Sequence, residues 1–339
     1  MNYAVKKMVA TCRPWVVGML VLGCLAIGCS ALPVSRISEP APGFDATPRL
    51  AILSAFEPEL LKLKKATQVK EVRILNGRTC YIGRLEGQDV VLLLSGVSMV
   101  NAALTTQALL DHFTVREIVF SGIAGGVNPE LHVGDVTVPA AWGEYQEQVF
   151  ARETTNGWDA GRFGGEFPNY GMMFPTSISI ARRDSPADRL ERRFWFAVDA
   201  EGLEIARHLA GEVKLSQQTE DGAALTVEPR VVVGGKGVSG PTFVDNAAYR
   251  QWAWQTFHAD ALDMETAAVA HVAYVNEVPF IAFRSLSDLA GGGGGKNEST
   301  VFFKLAANNS AAVVIAYVRA FGERHGALPV APKAVHVQP

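Results

Sequence analysis

Short apolar runs alternate with stretches of helical spacing through most of this 339-residue chain. Residues 50–53 form an unbroken apolar run that reads as a buried strand, and the helical pattern of 57–65 follows it. Residues 78–85 and 89–94 predict two strands joined through a turn at Glu86-Gly87. Helical spacing returns at 100–112, with Ser98 or Asn101 as candidate cap. The apolar run 117–120 predicts another strand, ending in a Gly-rich turn at Ser121-Gly122-Ile123-Ala124-Gly125-Gly126. Further strands are predicted at 136–139, 230–233 and 280–283, and helices at 265–275 and 301–321. This alternation predicts one α/β domain: a mixed, mostly parallel central sheet flanked by helices. The rhythm breaks at 144–202, where Trp158, Tyr170, Trp195 and several glycines interrupt any period. That stretch reads as an insertion, either a lid over a site or a plain surface excursion.

The N-terminus is different in kind. Lys6, Lys7 and Arg13 precede an uncharged apolar run at 15–27, the length of a signal-peptide core and short for a permanent membrane span. The run ends in Ala26-Ile27-Gly28-Cys29-Ser30, which resembles a bacterial lipoprotein cleavage site with Cys29 as the lipidated residue. Val21-Leu22-Gly23-Cys24 is a second candidate, and an ordinary signal peptide or an uncleaved anchor stays open. The expected organisation is a signal peptide at 1–28, a lipid-attachment Cys29 and Pro-rich tether over 29–48, a folded body at 49–325 and a flexible tail at 326–339. Export to the periplasm, with membrane attachment through the lipid, follows from this reading.

Composition narrows the class. At 48% hydrophobic and 9% aromatic, the chain is too apolar to be disordered. Its net charge of −3 excludes a general nucleic-acid binder, which needs a basic face. After cleavage before Cys29, Cys80 has no partner for a disulfide, so it reads as a small buried strand residue. His112, His132, His208, His258 and His271 form no close ligand pair and read as packing or surface residues. Neither a metal site nor a cofactor is expected.

In a sheet covered on both faces, ligands bind beyond the carboxyl ends of strands. Glu59, Glu265 and Asp288 all fall near such ends, as does the glycine segment at 122–126. Taken singly, each reads equally as a cap, a dipole partner or a turn residue. The glycine segment matches neither a P-loop nor a dinucleotide fingerprint.

Taken together and in order, these segments resemble a family. Ile52 to Leu60, Ser95-Gly96, Ser121 to Val127, Val133-Gly134-Asp135-Val136, Val238-Ser239-Gly240, Met264-Glu265-Thr266-Ala267-Ala268 and Arg284 to Ala290 are similar to the nucleoside phosphorylase/nucleosidase superfamily. Within it they most resemble the methylthioadenosine/S-adenosylhomocysteine nucleosidases. The resemblance implies roles. Asp288 is the acid that protonates the purine at N7, and Glu59 is the carboxylate that activates water. Glu265 and Met264 bind the ribose, and Phe243 stacks on the base. Arg284 and Ser287 line the water and base sites, beside Ile123, Ala124 and Gly125. Ile123 stands where those nucleosidases carry Ser.

The implied reaction is hydrolysis of a purine nucleoside or 5′-thionucleoside to base and sugar, by a homo-oligomer. Two alternatives remain at this stage. A phosphorylase would need phosphate-binding arginines, and Ser54 to Glu59 and Phe120 supply none. A nucleoside-binding or storage lipoprotein would keep the pocket without turnover, as the longer 144–202 stretch suggests by its weaker similarity to plant storage relatives. The five glycines at 291–295 read as a mobile flap or as a loose loop.

Overall fold

The computed structural model describes residues 44–186 and 189–326. The leader, Cys29 and most of the tether lie outside the described residues, as do 327–339 of the tail.

A mixed sheet of twelve strands forms the centre. In chain order its strands are β1 (Asp45–Ser54), β2 (Gln68–Leu75), β3 (Arg78–Leu85), β4 (Gln88–Leu94), β5 (Phe113–Gly126) and β6 (Val136–Val138). They continue as β7 (Ala141–Glu144), β8 (Trp195–Ala197), β9 (Val231–Val233), β10 (Lys236–Ser239), β11 (Ala261–Asp263) and β12 (Phe280–Asp288). The main path runs β8-β7-β10-β11-β5-β1-β4-β3-β2, and β12 pairs with both β5 and β6. Pairs β1–β4, β1–β5, β5–β12 and β10–β11 are parallel, whereas β2–β3, β3–β4 and β5–β11 are antiparallel. The α/β class therefore stands as the alternation predicts.

Among the described residues six α-helices cover the sheet: α1 (Glu57–Ala66), α2 (Met99–His112), α3 (Ala200–Leu209), α4 (Ala247–Phe257), α5 (Thr266–Asn276) and α6 (Ser299–His325). Each central strand buries both faces, as the continuous apolar runs require: Leu50, Ala51, Ile52 and Leu53 in β1, and Phe280 to Phe283 in β12, are at most 3% exposed. Cys80 is buried in β3, as expected.

Several boundaries differ from the sequence reading. The strand at 117–120 extends to Gly126, so the segment 122–126 is strand and not a turn. Its glycines are there for close approach: a Cβ on Gly122 would stand 2.0 Å from Arg284 Nη1 and 2.5 Å from Glu59 Oε1. Likewise, β12 runs past Phe283 to Asp288, carried by its parallel pairing with β5. The last four tether residues, Asp45 to Pro48, are already part of β1. Ser98 stands before α2 but makes no side-chain cap.

The 144–202 stretch is neither separate nor shapeless. Glu144 ends β7, and β8 returns from Trp195 to pair with it, so both ends belong to the main sheet. Between them lie three small antiparallel pairs. Phe167, Tyr170, Phe194 and Trp195 pack onto Tyr249, Trp252 and Phe257 of α4, with the Phe194 and Phe257 rings nearly parallel at 5.5 Å. Trp252 Nε1 donates to the Pro168 carbonyl at 3.1 Å. Aromatic burial of this size is the dominant attraction holding the segment in place.

Candidate active site

The carboxyl ends of β1, β5, β11 and β12 open into one cavity of about 400 Å³, in the range of nucleoside-sized ligand sites. Glu59, Glu265 and Asp288 all line it. So do Met264, Phe243 and Ser287, together with Ile123, Ala124 and Gly125 from the end of β5. No described residue of 144–202 does, so the described part of that segment braces α4 rather than covering the cavity.

Glu59 reaches the cavity through the local design of α1. It is the third helical residue, and its Oε2 accepts the Ala55 N–H at 2.6 Å and the Phe56 N–H at 3.3 Å. This reach back over the helix start satisfies donors that the first turn leaves free. Its Oε1 accepts the Ile123 N–H at 2.8 Å and lies 3.6 Å from Arg284 Nη1. Burial raises the Glu59 pKa, while Arg284 and the three backbone donors pull it back down.

Glu265 precedes α5. Its Oε1 accepts the Ser98 N–H at 2.7 Å, and its Oε2 lies 3.5 Å from Arg284 Nη2. Ser98 presents that N–H from a backbone with φ of 80°, an uncommon conformation for a residue with a side chain. Burial again raises the carboxyl pKa; the Arg284 charge opposes this, and the neighbouring Asp263 and Glu59 reinforce it.

Asp288 closes β12. The Ala290 N–H donates to its Oδ1 at 2.8 Å and the Ser287 hydroxyl to its Oδ2 at 2.9 Å. Burial pushes its pKa up, against the pull of those donors. A carboxyl in this setting holds its proton to higher pH than a free aspartate does.

Arg284 differs from expectation. It is fully buried below the cavity and is not on its wall. Its Nε stands 2.7 Å from Asp263 Oδ2 and donates to Thr266 Oγ1 at 2.8 Å, and its guanidinium lies 4.2 Å from the Phe120 ring centroid. One cation thus ties together three carboxylates, Glu59 at the start of α1 and Asp263 and Glu265 at the junction of β11 and α5. Removing it would leave buried charges unpaired, which typically costs 3–5 kcal/mol.

Asp263 is the residue that the sequence reading missed. It lines the cavity, is gripped by the Ser239 and Thr266 hydroxyls, and accepts the Thr266 N–H at 3.2 Å. Its signal was the motif itself, where it immediately precedes Met264-Glu265. The remaining wall is largely apolar, with Val97, Val244, Leu262 and Phe303, and Phe243 stands at it 60% exposed. An aromatic ring that exposed gains burial when a flat ligand covers it.

Four carboxylates therefore face one cavity, and no Lys or Arg among the described residues lines it. Such a site favours positive charge developing on a bound ligand and disfavours an anion.

Comparison with known proteins agrees with this geometry. The model of the phosphorylase superfamily matches residues 49–321. A 5′-methylthioadenosine/S-adenosylhomocysteine nucleosidase of Marinomonas is 30% identical over 247 residues, covering 71% of this chain and 86% of that protein. Bark storage protein A of Populus deltoides is 28% identical over 228 residues, covering 63% of this chain and 70% of that one. Among solved structures, the Neisseria meningitidis 5′-methylthioadenosine/S-adenosylhomocysteine nucleosidase in complex with methylthio-immucillin-A is similar at a TM-score of 0.60. That match has 26% identity and covers 80% of this chain and 99% of the other. With the fold, the convergence of acids and a family match over most of its length, the chain belongs to the phosphorylase superfamily.

Proposed function

We propose that the protein hydrolyses the N-glycosidic bond of a purine nucleoside of the 5′-thio class, typified by methylthioadenosine and S-adenosylhomocysteine, to free base and sugar. The observation that carries this reading is the shared cavity of Glu59, Glu265 and Asp288, with its excess of carboxylates. Asp288, whose pKa burial raises, gives a proton to N7 of the base as the bond from sugar to base breaks. Such general acid help is typically worth ~10²–10⁴ in rate. Glu59 accepts a proton from water as the water oxygen bonds to the sugar carbon. Glu265 accepts hydrogen bonds from sugar hydroxyls, Met264 packs on the ribose and Phe243 stacks on the base. The apolar wall at Val97 and Phe303 suits a thioether substituent. The ring of carboxylates offsets the positive charge that builds on the sugar.

Water rather than phosphate is the acceptor in this reading. A phosphate dianion would meet the acids Glu59, Asp263 and Glu265 with no free cation among the described wall residues, and the nearby guanidinium of Arg284 is buried and already engaged. The complete set of acids also supports turnover over storage. The test is base release from methylthioadenosine with and without phosphate.

The protein acts, in this reading, as an exported lipoprotein of the bacterial periplasm, anchored through Cys29 and working as a homo-oligomer. The basic start, the apolar run and the small residues before Cys29 support the anchor. Val100 and Leu104 of α2, 71% and 66% exposed and close in sequence to the cavity residue Val97, support association.

A further inference from the structure

The five glycines at 291–295 are not alike. A Cβ on Gly293, Gly294 or Gly295 would meet nothing within 4 Å. One on Gly292 would stand 2.4 Å from Arg250 Nη1, the end of a side chain that can move aside. One on Gly291 would stand 2.3 Å from Asn246 N, 2.6 Å from the Asp245 carbonyl carbon and 2.8 Å from Asn246 Cα, all of them backbone atoms. The first glycine is therefore pressed against the start of α4, and the last three are open.

This contact seats a tight turn. The Gly292 N–H donates to the Leu289 carbonyl at 2.8 Å, with φ of +50° at Ala290 and +88° at Gly291 between them. Glycine adopts positive φ freely, whereas alanine does so only at a cost. Ala290 is nevertheless fully buried there, held through its N–H, its carbonyl and its methyl. The N–H donates to Asp288 Oδ1 at 2.8 Å, and the carbonyl accepts the Asn246 N–H at 3.1 Å. The methyl lies beside Gly125 of β5, where a Cβ would stand 3.1 Å from it. Asn246 is itself fixed as the N-cap of α4, its Oδ1 accepting the Tyr249 N–H at 2.9 Å. Tyr170 of the 144–202 segment packs on Tyr249 and Trp252 of that helix.

We propose that Gly291 is a positioning residue for Asp288: it lets the Ala290 turn sit against the N-cap of α4, and that seat fixes the backbone donor that aims the carboxyl at the base. This rests on the general-acid role given to Asp288 above. A sparsely populated backbone conformation persists only where its surroundings over-determine it, and such places cluster at sites where position matters. A methyl at 291 must push the turn off Asn246, because none of the three backbone atoms it faces can rotate away. The Ala290 N–H moves with the turn, and the Asp288 carboxyl loses its fixed partner. A misplacement of about 1 Å at a reacting group is enough to cost on the order of 10²-fold in rate.

The experiment measures kcat for methylthioadenosine with the full-length protein carrying Gly291→Ala, Ala290→Gly or Gly293→Ala, each made in the parent and in Asp288→Asn. Gly291→Ala should lower kcat roughly tenfold or more. Gly293→Ala adds the same methyl to the same run and should leave kcat near the parent value. Ala290→Gly eases the positive φ, so folding is not threatened, but it frees the turn and removes the methyl beside Gly125. Its kcat should fall severalfold with no loss of melting temperature. In the Asp288→Asn background neither Gly291→Ala nor Ala290→Gly should cost anything further, because groups that act as one unit are not additive. A merely structural role would lower kcat equally in both backgrounds, and that result overturns the proposal. Parental kcat in either turn variant overturns it too. If Asp288→Asn turns over like the parent, the general-acid reading fails and this inference fails with it. If Asp288→Asn is crippled and the turn variants are not, the seat alone is wrong.

Discussion

Arg284 and Glu59, 225 positions apart in the sequence, meet with 3.6 Å between Nη1 and Oε1, and neither is more than 1% exposed. Their approach is possible because Gly122 passes beside them without a side chain. Gly122→Ala should therefore displace one or both groups and lower kcat/KM by about 100-fold or more, comparable to losing one well-placed catalytic group. Gly293→Ala, where a Cβ would meet nothing within 4 Å, is the control and should leave activity near the parent value. Steady-state kinetics on both variants checks this, and a fully active Gly122→Ala would show that the packing is less tight than described.

Asp288→Asn removes the transferable proton but keeps the size and most hydrogen bonds of the side chain. Turnover should drop roughly 10²–10⁴-fold. Nucleoside affinity, measured by calorimetry, should change little. Loss of binding together with activity would point to a role in holding the ligand instead.

Glu117 gives a prediction independent of catalysis. It is 2% exposed in β5, and the Tyr317 hydroxyl lies 2.9 and 3.0 Å from its two oxygens. Burial raises its pKa to about 8, with Asp199 and Glu201 adding to the rise and Tyr317 and Arg116 opposing it. The folded state thus prefers the neutral acid. That contribution is complete below the ordinary carboxylate range, declines as pH rises toward 8 and is gone above it. Its upper limit is about 5 kcal/mol. Glu117→Gln should accordingly lose less melting temperature between pH 5 and pH 8.5 than the parent does. Parallel pH dependence in the two proteins would remove Glu117 as a source.

The proposed anchor is tested by growing an expressing bacterium with a labelled fatty acid. Label should enter the protein and disappear in Cys29→Ser. Label retained in Cys29→Ser but lost in Cys24→Ser would move the attachment site to Cys24.

Much of the site was legible because its acids sit where strands end and helices begin. Glu59, Glu265 and Asp288 stand at such junctions, and the motifs around them carried the family resemblance that the comparisons bear out. What supports these acids was harder to see. Arg284 reads as a polar wall residue until β12 is known to run on to Asp288, which turns its side chain beneath the cavity. The Ser98 N–H that grips Glu265 depends on a backbone angle with no side-chain signature. The fold was missed in similar places. β2 carries exposed Val69, Val72 and Ile74 among charges, because it is an edge strand, so its pattern is weak. α4 lacked a clean helical stripe because aromatic residues on it bury against the 144–202 segment. α3, in contrast, had readable signs: Asp199 caps it by accepting the Gly202 N–H at 2.7 Å, and Leu203, Ile205, Ala206 and Leu209 form its buried face.

The central claim is that carboxylates surrounding one cavity split a nucleoside with water. It is tested most directly by incubating the purified protein with methylthioadenosine in phosphate-free buffer and separating the products, alongside Glu59→Gln. Adenine and the free thio-sugar should appear at a rate that added phosphate does not increase, and Glu59→Gln should be severely impaired. A strict need for phosphate with release of a sugar 1-phosphate, or no adenine in either buffer, would contradict the account.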